Sequence, residues 1–275
     1  MRILWTALFA IVMTALVSGI WAALLLTNLS HSPGLPWSSI VMAVILWALW
    51  AYLSGRWPPA STRSARRMYL RAAQLPWRVY SWALIAGLLW LVFLSGFWIV
   101  LDQLVTVPGN KLPDFSTLPV LTVVATLVVA SASGAISEEA GFRGYFQGSL
   151  ERSGLGAPAV LCTALLMAPI HALTQGFVWP TLVFYLLVDV MLGALAYLTK
   201  SILPGIIVHA VGLFTFLGLI WPGDKSRPPI SQGGGDVWFW IHLGQAIVFG
   251  ALSLYALRRL AGAVKQNNAA PTATA

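Results

Sequence analysis

Residues 117–150, TLPVLTVVATLVVASASGAISEEAGFRGYFQGSL, decide how this chain is read. From Thr117 to Ile136 there is no charged residue, and a membrane crossing needs about 20 mostly apolar residues. Two adjacent carboxylates, Glu138 and Glu139, follow at once, with Arg143 shortly after. Residues 137–150 lack proline, and Phe142, Tyr145, Phe146 and Leu150 are spaced for one apolar helix face. The helix is therefore predicted to continue to about Leu150, which is over-long for one bilayer. Counting back from that end at about 1.5 Å per residue places Glu138 roughly 18 Å inside it. Ionisable groups at membrane depth are costly and mark function by default.

The composition supports this reading. Hydrophobic residues make up 59% of the chain and charged residues 9%, with a mean hydropathy of +0.81. A soluble domain carries about 25% charged residues. The fold class is thus all-α: a polytopic bundle of about eight transmembrane helices. The spans read as Ile3–Leu26, Ser38–Leu53, Val79–Leu101, Thr117–Ile136 with its extension, Leu155–Leu173, Val178–Leu198, Ile202–Ile220 and Val237–Leu257. Residues 1–265 form one integral-membrane domain, and the small polar tail 266–275 is expected to be disordered. The N-terminal apolar stretch is too long for a signal peptide and is read as a retained helix. Cys162, the single cysteine, lies in an apolar run and is expected to be a small core residue.

The net charge of +8 does not indicate nucleic acid, because the charges lie in loops between spans. Loop 54–78 holds Arg56, Arg63, Arg66, Arg67, Arg71 and Arg78 and no acid, so it is assigned to the cytoplasm. Both termini then become cytoplasmic, together with Arg2, Arg152, Lys200, Arg258, Arg259 and Lys265. Only Lys111, Lys225 and Arg227 fall opposite. The loop reads as a solvated topogenic segment. The alternative is a basic helix lying on the leaflet, with Met68 and Leu70 touching lipid. Turn-rich stretches at 28–37, 102–116 and 221–236 are read as outer connectors, with His31 a loop residue.

Two histidines join the carboxylates at a similar depth. His171 follows Pro169 in the fifth span, and His209 ends Pro204-Gly205-Ile206-Ile207-Val208-His209 in the seventh. Glu139 and Arg143, at i and i+4, share a helix face and read as a structural ion pair. Glu138 is rotated by about 100° and is left to face something else. Gly141 and Gly144 permit close helix approach. Asp189 is read as a helix-to-helix hydrogen bonder and His242 as structural. A carboxylate beside a neutral imidazole can hold and deprotonate water. A second imidazole can donate to the oxyanion formed when that water attacks an amide carbonyl. The same set, Glu138, His171 and His209, could instead bind zinc, although the H-E-x-x-H spacing is absent.

These motifs resemble the CAAX-prenyl-protease and bacteriocin-processing (CPBP) family of intramembrane proteases. Glu138-Glu139-Ala140-Gly141-Phe142-Arg143 resembles its E-E-x-x-x-R motif, His171 the end of F-x-x-x-H, and His209 the start of H-x-x-x-N. The likeness covers about residues 117–213. It implies that Glu138 activates water with His171, that His209 supports the oxyanion, and that Glu139 and Arg143 hold the site in shape. It implies a glutamate-type protease without cofactor, with zinc as the alternative. Two positions depart from the family pattern: Met167 replaces the Phe, and Leu213 replaces the Asn.

The expected function is intramembrane cleavage of a membrane-associated protein or peptide, in a cell membrane and more specifically a bacterial inner membrane. The oligomeric state is left open. Leu213 favours one alternative, a catalytically silent relative that binds a peptide or partner membrane protein. A proton-linked transporter is the other, but the repeat symmetry or paired broken helices it would need are not seen.

Overall fold

The computed structural model describes residues 2–105, 118–220, 230–233 and 235–269. Among them every regular element is helical. The main helices are α1 (Arg2–His31), α2 (Trp37–Leu53), α3 (Arg63–Leu70), α4 (Trp77–Leu104) and α5 (Val120–Glu138). After α5 come α6 (Pro158–Gln175), α7 (Trp179–Thr199), α8 (Leu203–Thr215) and α9 (Val237–Ala269). Six helices are long and apolar enough to cross a membrane, and α2 and α6 are shorter apolar helices. The all-α multi-span class and the eight apolar segments therefore stand. Lys111, Lys225, Arg227, the turn-rich stretches within 106–117 and 221–229, and residues 270–275 of the expected tail lie outside the described residues. Residues 266–269 are the end of α9.

The over-long helix is present and runs from Val120 to Leu155, 36 residues in all. It does not keep α-helical geometry. From Glu139 to Gln147 it winds as a π-helix, a form that clusters at functional sites. The expected single apolar face is replaced by burial on nearly every side, from Glu139 through Gly144 and again at Phe146 and Gln147. The rod ends at Gly154 and Gly156, with φ of +97° and +61°. Side chains rarely adopt such values, so glycine lets the chain turn back here.

The described residues form two compact units that interleave along the chain. The first contains α1, α2, α3, the long rod and nearly all of α8. Small residues bring its helices together: a Cβ on Gly141 would lie 3.1 Å from the Ala10 backbone of α1. Val17, Trp21, Met42 and Leu46 are buried together against Val129, Ala130 and Ile136. Lipid is as apolar as leucine, so close packing and hydrogen bonds must hold such helices together. Leu4, Trp5, Leu16, Trp47 and Leu121 stay exposed, as a lipid-facing surface requires.

Within this unit α3 packs on the long rod through one face, while Arg63, Ser64, Ala65 and Arg67 stay exposed. Leu70 is buried, and a Cβ on Gly144 would sit 2.9 Å from the carbonyls of Tyr69 and Leu70. Arg66 donates to the carbonyl oxygens of Tyr52, Trp57 (2.6 Å) and Pro59 (2.8 Å), satisfying groups at the end of α2. Met68 remains exposed. The 28–37 connector is shorter than expected. His31 is in the last turn of α1, and buried Asn28 donates to Ser32 O (2.7 Å) and Leu35 O (2.8 Å).

The second unit contains α4, α7, α9 and most of α6. Polar groups staple α4 to α9: Gln245 Nε2 donates to Val92 O (2.7 Å) and Ser95 Oγ (2.9 Å). Ser253 Oγ donates to Ala86 O at 2.8 Å. His242 Nδ1 lies 3.0 Å from Gln245 Oε1, which is the structural role expected of it. Asp189 is buried in α7. Cys162 is exposed on α6, because an apolar run suits lipid contact as well as a core.

Candidate functional site

The site is assembled at the junction of α5 with its π-helical continuation, against α8. Two glycines permit the approach. A Cβ on Gly134, one turn before Glu138, would lie 2.8 Å from Leu213 Cδ1 and 3.7 Å from Glu138 Oε1. A Cβ on Gly205, one turn before His209, would lie 2.8 Å from Glu139 Oε2. With no side chain at these positions, α8 carries His209 directly onto the carboxylates.

His209 contacts both acids. Its Nδ1 lies 3.0 Å from Glu139 Oε1, a hydrogen bond, and its Nε2 lies 3.6 Å from Glu138 Oε2. A carboxylate only accepts, so the Nδ1 proton is assigned to the bond with Glu139. The separation on the Nε2 side is longer than a hydrogen bond. Arg143 Nη1 stands 3.4 Å from the same Glu139 oxygen. The expected i, i+4 pair is therefore present, but Glu139 also holds the imidazole. Glu138, on a different helix face from Arg143, meets the other nitrogen of the same imidazole. The two ring nitrogens of one histidine point far enough apart to span the rotation between adjacent residues.

Burial separates the two acids. The Glu139 and Arg143 side chains are 0% exposed, whereas Glu138 keeps 12% and His209 7%. Glu138 is the less buried of the two carboxylates. Leu213, where the family motif has Asn, sets a methyl against Gly134 beside that carboxylate. His171 belongs to the second unit, where its ring stacks on Tyr185 at 4.5 Å and 17°. Met167 is buried on the same helix.

Among the described residues no group of three or more His, Cys, Asp or Glu side chains is arranged to hold a metal ion. Nδ1 of His209 is committed to Glu139, which leaves Glu138 Oε2 and His209 Nε2 facing each other here.

Reading the sequence missed Gly134 and Gly205. Their signal was present: each is four residues before a site residue, on the same helix face.

Fold and site together define a multi-pass helical membrane protein with an acid–imidazole centre buried among its helices. Residues 119–215 match the Rce1-like family, described as type II CAAX prenyl endopeptidase Rce1-like. That segment runs through α5 to α8 and carries Glu138, Glu139, Arg143, His171 and His209, so the CPBP resemblance stands on it. The family is one of membrane CAAX proteases. No curated protein and no solved structure matches the chain.

Proposed function

We propose that this protein is an intramembrane endopeptidase in which Glu138 activates the hydrolytic water. One observation carries the reading: His209 is held at Nδ1 by fully buried Glu139 and turns Nε2 toward the more accessible Glu138. A water accepted between Glu138 Oε2 and Nε2 would give its proton to the carboxylate while its oxygen bonds to a peptide carbonyl carbon. The proton then passes to the amide nitrogen as the C–N bond breaks, leaving a carboxylic acid and an amine. With Nδ1 engaged by Glu139, Nε2 is the nitrogen turned to the water: unprotonated it accepts from the water, and protonated it donates to the oxyanion. His171 is retained as an assisting group on the strength of the family motif. Substrates are proteins or peptides of the bilayer, and a bacterial inner membrane is the setting proposed.

The test uses the full chain in proteoliposomes with a farnesylated CAAX peptide and its unprenylated counterpart as probes. Glu138→Ala and His171→Ala should each abolish cleavage while the thermal melt stays cooperative. Cleavage by wild type should survive a strong chelator. If Glu138→Ala still cuts, the mechanism is wrong. Leu213 favours a second reading, a relative that binds peptide without cutting it. In that case wild type retains the probe intact.

A further inference from the structure

The end of the long rod carries a second polar feature, remote in role from the carboxylates. Arg2 at the start of α1 and Arg152 near the end of the rod both converge on Tyr69. Arg2 Nε donates to Tyr69 Oη at 2.7 Å, and its guanidinium carbon lies 5.7 Å from the ring centroid. The Arg152 guanidinium lies 4.7 Å from the same centroid, and its Nη2 donates to Ser149 Oγ at 3.2 Å. Tyr69 is itself fixed by stacking on Tyr145 at 5.2 Å. The two arginines, with Ile3, Ser149 and Ser153, line a cavity of about 260 Å³.

Among the described residues no carboxylate is paired directly with either arginine. The adjacent acid, Glu151, is engaged elsewhere: Arg71 donates to both of its oxygens, at 3.0 and 3.2 Å, and Gln147 donates to Oε1 at 3.0 Å. Two cations are thus held about one aromatic ring, beside a cavity, without an ion-pair partner of their own. An anion with several oxygens would supply one, and planar guanidiniums match phosphate oxygens in particular.

We infer that this cavity binds the phosphate of an anionic phospholipid. The residues bordering the pair favour lipid as the source. Leu4 and Trp5, next along α1, are 73% and 67% exposed on a helix long enough to cross a membrane. Tryptophan favours the head-group level of a bilayer, and basic pockets between spans take anionic head groups.

The experiment compares full-length protein in phosphatidylcholine nanodiscs with and without phosphatidylglycerol. It scores phosphatidylglycerol retained after detergent extraction by native mass spectrometry. Wild type should retain it selectively. Retention should fall roughly five-fold in Arg152→Gln and roughly thirty-fold in Arg2→Gln/Arg152→Gln. Arg152→Lys keeps the charge and should retain most of the lipid, which separates loss of the site from loss of the fold. Inorganic phosphate added to protein in neutral detergent distinguishes the sources. A melting shift with phosphate but no phosphatidylglycerol selectivity overturns the lipid assignment. Equal retention by wild type and the double variant overturns the site.

Discussion

At the scale of single residues, Gly205 and Leu213 control the acid–imidazole centre without reacting in it. Gly205 leaves room for Glu139 Oε2, which is buried and whose partner oxygen is already pinned by His209 and Arg143. Gly205→Ala should overpack this point and cost about 1–3 kcal/mol, read from a thermal melt. Because it displaces the group that orients His209, cleavage should fall by about 10² as well. Wild-type cleavage in Gly205→Ala would show that Glu139 need not hold the ring. Leu213 places a methyl where a side-chain amide would face the space beside Glu138. Leu213→Asn should raise cleavage, by up to about 10² if the amide supplies an oxyanion donor. No change in turnover would mean that another group already fills that role.

At the scale of elements, the π-helical segment is held in place by α3 and the residue that follows it. Arg71 forks onto Glu151 and also donates to Arg143 O at 3.2 Å, at the residue that pairs with Glu139. Gly144 and Gly148 provide the clearance, since a Cβ on Gly148 would lie 2.8 Å from Arg71 Cδ. Arg71→Ala leaves a mostly buried Glu151 without its main partner, and such losses cost about 3–5 kcal/mol. A lowered melting temperature, with cleavage lost in proportion, is the expected result. An unchanged melt would mean that α3 is a passive passenger. Six arginines and no acid are a charge signal for orientation and carry none for docking. Docking depends on glycines some 70 residues away, and no local pattern records those.

At the scale of the whole molecule, the charges of the connecting segments predict one orientation. With exposed Cys162 first changed to Ser, single cysteines at Ser61 and Asn267 should label only when the cytoplasmic face is opened. One at Asn110 should label from outside. Labelling of Ser61 from outside would invert the arrangement and place the Arg2–Arg152 cavity on the outer leaflet.

Read without coordinates, the residues already show a bundle of apolar helices, a fourth apolar segment too long for one bilayer, and Glu138, Glu139 and Arg143 grouped together. These properties follow from composition and helical period, because lipid requires each span to be apolar and to satisfy its own backbone. Packing alone sets which acid is fully buried and which keeps a little exposure. It also makes one histidine span both, and clamps the π-helical turn from the Arg63–Arg71 segment. Those outcomes rest on missing Cβ atoms at Gly134, Gly144 and Gly205 and on side chains brought together from distant positions. A glycine's value lies in what approaches it, and that is a property of the packed chain.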